Sequence, residues 1–195
     1  GGAGGDRGTS GTYACANIHR SLCVRLSEMF PDKLAVGMEL RDKVTEYVKE
    51  RIDNLRKSDS YHNVSVLRTN AQKYLPNYFR KGQLEKLFFL FPDPHFKVQN
   101  HRRRIISHQL LTEYAYLLEI GATLYTITDV EDLGQWMDSK LAAHPLFERI
   151  SEEELAGDPC ADLIKLATEE GQKVERNSGK TYRNIYRRIA GPHEQ

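Results

Sequence analysis

Asp93 stands between Pro92 and Pro94, at the end of the apolar run Leu84–Phe91 and just ahead of the basic tract HFKVQNHRRR. Pro92 fixes its own φ, and Pro94 restricts Asp93 to extended backbone. A carboxylate held this way at a strand end is preorganised, as a reacting centre requires. Pro and Asp are also turn formers, so a purely structural turn is the competing reading. His95 follows, placed either to touch a substrate or to cap the turn. Lys97, Arg102, Arg103 and Arg104 share a stretch without an acidic residue. Each phosphate that such cations neutralise releases condensed counterions, so the tract fits an RNA-binding edge; a solvated basic helix start is the alternative. Together the carboxylate and the cations suggest chemistry on a nucleic acid.

The elements that must position Asp93 alternate between two periodicities. Leu22, Leu26, Met29 and Phe30 recur at helical spacing until Pro31 stops them. Leu34–Leu40 reads as a buried strand, and Arg41–Lys57 as a helix with Val44, Val48, Ile52 and Leu55 on one face. Strands follow at Asn63–Arg68, Leu84–Phe91 and Ala122–Thr128, and helices at Ile105–Leu118 and Val130–Ala143, with Gly121 as a stop signal. Ser151 and Glu154 fit a capping box, and TYRNIYRRI closes the chain with a β-like run. Strands alternating with helices predict an α/β fold, a mostly parallel sheet with helices on both faces. Ligands of such sheets lie beyond the carboxyl ends of the strands.

Those strand ends carry further candidates. Glu39 ends its strand where doubly wound folds place an acid against a ribose diol; a salt bridge to Arg41 is the plainer use. Asn70-Ala71 offers an amide for an adenine edge and a small neighbour for the ring, or simply a helix N-cap. Asp129 ends ATLYTITD. Thr168, Glu169 and Glu170 form a late TEEG turn whose charges repel phosphate, so they would have to face a base edge or a cationic cofactor.

Bulk properties exclude several classes. The 195 residues suit one domain, and the formal net charge of +1 confines nucleic-acid binding to a local patch. No stretch approaches the roughly 18 apolar residues of a membrane span. Cys15, Cys23 and Cys160 are odd in number and scattered, which argues against a disulfide framework or zinc site and for a reducing compartment. The glycines of GGAGGDRGTSGT have no strand before them, so a phosphate loop is disfavoured; residues 1–12 read as disordered.

GMELRDKV, RTNA, LFFLFPDPHFK, RRRIIS, YTITDVEDLGQWM, HPLFER and ATEEGQKVERN, in this order, resemble the tRNA (guanine-N7)-methyltransferases, the eukaryotic catalytic subunit most closely. The resemblance runs from about Ser21 to Ile189, leaving 1–20 unmatched and 21–195 as the domain. It implies a Rossmann-like, S-adenosylmethionine-dependent methyltransferase acting on guanine 46 in the variable region of tRNA. It also implies a WD-repeat partner subunit and a nuclear location, with the cytoplasm as a second compartment; no metal or membrane is implied. It assigns the cofactor to Glu39, Arg41, Asn70, Ala71, Leu90, Thr168, Glu169 and Glu170, the catalytic acid to Asp93, and the substrate side to Lys97, Asp129, Arg102, Arg103 and Arg104. The family opens with a strand and a D-x-G-C-G-x-G-G loop, whereas Thr12–Arg20, TYACANIHR, has neither glycine nor acid. The first strand and Gly-rich loop are therefore expected to be missing or replaced. An impaired isoform that serves only as an RNA- or partner-binding scaffold stays open as the alternative. A nicotinamide enzyme is disfavoured because no G-x-G-x-x-G follows a strand.

Overall fold

The computed structural model describes residues 11–17, 22–164 and 180–194. Seven strands form one sheet in the order β3-β2-β1-β4-β5-β7-β6. They are β1 (Thr12–Ala16), β2 (Leu34–Glu39), β3 (Val64–Arg68), β4 (Leu84–Leu90), β5 (Leu118–Thr128), β6 (Phe147–Arg149) and β7 (Tyr182–Arg188). The first five are parallel, and β7 runs antiparallel between β5 and β6. Among the described residues, helices α1 (Leu22–Met29), α2 (Asp42–Arg56), α3 (Ala71–Tyr78), α4 (His108–Leu117), α5 (Glu131–Ala142) and α6 (Glu152–Leu155) accompany the sheet, and residues 159–164 are helical too. Two buried clusters, one on each side of the sheet, form the core. The α/β architecture expected from the periodicities is present.

The first strand is replaced, not missing. Thr12–Ala16 is fully buried and takes the central slot, pairing with β2 on one side and β4 on the other. Thr12, read from sequence as the end of a disordered tail, is the first residue of that strand. TYACA resisted recognition because five residues of mixed small and polar type carry no alternation.

Three more features escaped the pattern. Helix α3 spaces Ala71, Tyr74, Leu75 and Tyr78 as a helix does, but Pro76 inside it hides the pattern; the Asn70 side chain, accepting from the Lys73 N–H at 3.3 Å, caps its start. The edge strand β6 is only three residues long. Gly121 does not stop a helix: it lies inside β5 at φ +92°, where the pairing with β4 slips, a backbone that glycine adopts freely. Helix α4 accordingly ends at Leu117, and Ser107 caps its start by accepting from the Leu110 N–H. The capping box at Ser151 and Glu154 forms as expected.

His144 is 3% exposed, close to His108 and Arg188. Burial, then the charges of His108 and Arg188, push its pKa down from 6.5 to about 4. The folded state thus holds a neutral imidazole, while the unfolded chain binds a proton below pH 6.5. Its contribution is present above pH 6.5 and falls away toward pH 4, by about 2 kcal/mol between pH 7.5 and 5. Urea melts at the two pH values should show that loss in the wild type and a smaller one in His144→Gln.

Candidate functional site

A cavity of about 1030 Å³ opens beyond the carboxyl ends of β1, β2, β3 and β4. Of the residues predicted from sequence, Glu39, Arg41, Asn70, Ala71, Asp93, Arg102 and Arg103 line it together. They come from the tips of β2, β3 and β4, and from the basic tract, which folds as a 3-10 helix at Val98–Arg103. Asn17, Thr69, Gln72, Lys73, Ser107 and Gln109 also line it and were not read from sequence. Their only signal was position, since each lies just past a strand or beside a helix start.

Glu39 is 3% exposed, and its charge is matched by Arg41. Oε1 accepts from the Arg41 backbone N–H at 2.9 Å and from Nε at 3.0 Å; Oε2 accepts from Nη2 at 3.1 Å. Burial pushes the carboxyl pKa up, but the side-chain and backbone hydrogen bonds from Arg41 outweigh it and hold the group below the usual range. The plain salt-bridge reading is therefore realised, and the same carboxylate faces the cavity. Asn70 spends its side-chain oxygen on capping α3, which leaves its NH₂ to donate.

Asp93 differs in kind. Its side chain is 72% exposed, and Oδ1 accepts from the His95 backbone N–H at 2.9 Å. The turn is strained on both flanks: Phe91 has φ +47° and His95 φ +45°. Non-glycine residues in this region cost on the order of 1–3 kcal/mol each and cluster at functional sites. Phe91 is held by its N–H donating to the Ile127 carbonyl at 2.8 Å. Asn17, at the tip of β1, has φ +58° and donates its N–H to the Met38 carbonyl at 3.0 Å. It ends the strand with a side chain where a glycine would leave open backbone.

Four predicted residues lie elsewhere. Leu90 is 2% exposed and packs in the core without lining the cavity. Lys97 and Asp129 are exposed outside the lining. Arg104 corrects the reading of the basic run most sharply. It is 1% exposed and so cannot reach a phosphate, whereas Arg102 and Arg103 are exposed. Thr168, Glu169 and Glu170 lie outside the described residues. Among the described residues no three His, Cys, Asp or Glu side chains are grouped to hold a metal ion, and no helix is long and apolar enough to cross a membrane.

Residues 19–184 match a family model described as "Putative methyltransferase". A rice tRNA (guanine-N(7)-)-methyltransferase is 66% identical over 171 residues, 87% of this chain and 66% of its own length. The Arabidopsis thaliana protein of that name is 63% identical, covering 87% of this chain and 68% of its own length. The chain belongs to the tRNA (guanine-N7)-methyltransferase family. A Caenorhabditis elegans member is 55% identical over 88% of the chain and 68% of its own length. The chain spans just under two thirds of the rice relative. Among solved structures, the 16S rRNA methyltransferase KamB superposes with TM-score 0.63 at 13% identity, covering 94% of this chain and 91% of that one. An rRNA methylase from Streptococcus thermophilus gives 0.58 at 9%, covering 93% and 89%. At such identities the likeness shows the fold alone, a Rossmann-like methyltransferase sheet.

Arg41→Met should leave Glu39 buried with only the backbone donors of residues 40 and 41 and raise its pKa. The Glu39–Arg41 contribution is present above the unfolded carboxyl pKa and is lost as pH falls through the lower folded one. The variant should therefore melt lower at pH 7, by no more than about 1 kcal/mol because Arg41 is largely exposed, and flatten below pH 4. Thermal melts from pH 3 to 7 check this.

Proposed function

We propose that this chain transfers a methyl group from S-adenosylmethionine to guanine N7 in tRNA, at position 46 of the variable region. The observation that carries this is the single cavity wall shared by the buried Glu39, the Asn70-Ala71 tip, Asp93 and two exposed arginines. The residues fit the cofactor. Glu39 is an acceptor for a ribose diol, provided the exposed Arg41 side chain shares or yields the carboxylate. Asn70 has a free amide NH₂ for a ring nitrogen, and Ala71 leaves room for the ring. S-adenosylmethionine supplies the electrophilic methyl group.

Guanine N7 carries an in-plane lone pair, so no base is needed to expose it. The protein's task is to align the ring, which is catalysis by positioning. Asp93 accepts hydrogen bonds from guanine N1–H and N2–H through the part of its carboxylate that faces solvent. Its negative charge stabilises the positive charge that grows on the base. Arg102 and Arg103 hold tRNA phosphates beside it. Lys97 and Asp129, outside the cavity, belong to the flanking RNA surface in this reading. A WD-repeat subunit as tRNA-holding partner and a nuclear location complete the proposal.

The glycine-free tip of β1, Ala16-Asn17, supports a second reading: a scaffold that binds RNA or a partner without turnover. Labelled-methyl transfer to a tRNA transcript with guanine or adenine at position 46 separates the two. Transfer to the guanine form alone supports the enzyme. A folded chain that binds tRNA and transfers nothing supports the scaffold. In the enzyme, Asp93→Asn should lower turnover about a hundredfold with little change in cofactor affinity. Arg102→Ala and Arg103→Ala should each reduce the salt slope of tRNA binding by about 0.9 while leaving cofactor affinity unchanged.

A further inference from the structure

Arg104 is the one member of the basic run that cannot meet a nucleic acid, yet it is the largest fully buried side chain of the described chain. Its Nε donates to the Pro94 carbonyl at 2.9 Å. Its Nη2 donates to the Asp132 carboxylate at the start of α5 and to His101 Nε2 at 3.0 Å. The guanidinium lies 4.9 Å from the centre of the Trp136 ring, and Trp136 Nε1 donates to the Ile106 carbonyl at 2.8 Å. Nη1 is buried with no partner among the described residues.

The Pro94–His95 peptide is gripped on both sides. Its oxygen accepts from Arg104, and its N–H donates to Asp93 Oδ1 at 2.9 Å. The grip also spans the strained residue, since His95 sits at φ +45°. Released, that peptide can rotate toward negative φ, which turns the N–H away from Asp93.

We propose that Arg104 is a positioning residue that fixes the Asp93 carboxylate by locking the Pro94–His95 peptide from within the core. This rests on the reading of Asp93 as the group that orients the base, and it deepens that reading. The fork geometry matters: Nε and Nη2 serve different partners at once, which a lysine ammonium on a flexible stem does not reproduce.

The test joins amide hydrogen exchange at His95, followed by NMR, to single-turnover methyl transfer. In Arg104→Met the His95 amide should exchange at least about tenfold faster, reporting a freed turn. The transfer rate should fall about ten- to a hundredfold with the S-adenosylmethionine KM within about twofold. Adding Asp93→Asn should cost little beyond Asp93→Asn alone, because both act on one group. Arg104→Lys should fall between. Unchanged His95 exchange in folded Arg104→Met, or losses that add fully with Asp93→Asn, overturns the proposal. If Arg104→Met does not fold, Asp132→Asn weakens the same grip from a side chain that is 70% exposed. Its His95 exchange must then rise, and no rise overturns the proposal. If the wild-type chain transfers no methyl, the reading of Asp93 fails, while His95 exchange still decides whether Arg104 holds the turn.

Discussion

Among the described residues the two halves of the sheet pair only through β1. β2 bonds to β1 on one side and β4 bonds to it on the other, with no pairing between β2 and β4 themselves. Five residues therefore join the Glu39 half of the sheet to the Asp93 half, and outside the sheet Gln72 reaches across to the Arg103 carbonyl at 3.1 Å. Their side chains suit the slot: Tyr13 and Cys15 enter one core cluster, Ala14 and Ala16 the other. Small residues on the second face let Leu87 and Phe89 of β4 pack in that cluster. Parallel strands buried on both faces tolerate little polar character, so β1 is set by its neighbours more than by its own propensity.

Around that seam the two carboxylates are prepared in opposite ways. Glu39 is withdrawn from water and kept charged by Arg41, which makes it a fixed acceptor. Asp93 stays in solvent and is held by backbone geometry instead: two prolines, two left-handed neighbours and one peptide N–H. In the proposed reading, a neutral ribose diol meets the buried acceptor, and a base carried on a polyanion meets the exposed carboxylate beside Arg102 and Arg103.

The order of strands and helices was legible because each long element carries its period, as in Val44, Val48, Ile52 and Leu55 of α2, or an apolar run, as in Leu87–Leu90 of β4. The places of Glu39, Asn70, Ala71 and Asp93 on the cavity wall were legible because a parallel sheet opens its cavities just past the strands, and their sequence positions mark those ends. Helix α3 and strand β6 were not, since Pro76 inside an eight-residue helix masks its short apolar stripe and a three-residue edge strand gives no periodic signal.

By itself the sequence determined the alternation of elements, the rigid Pro-Asp-Pro turn and a dense local positive charge, all properties of neighbouring residues. Only the tertiary structure decided which parts of those patterns face water. It made TYACA the central strand because β2 and β4 both need a partner there. It divided the run Arg102–Arg104, leaving two arginines at the cavity and drawing the third into the core. Asp132, Trp136 and Pro94 supply the partners that make that burial possible, and Asp132 and Trp136 lie 28 or more residues further along the chain. Charge is written in the sequence, but its dielectric surroundings are set by what packs against it from afar.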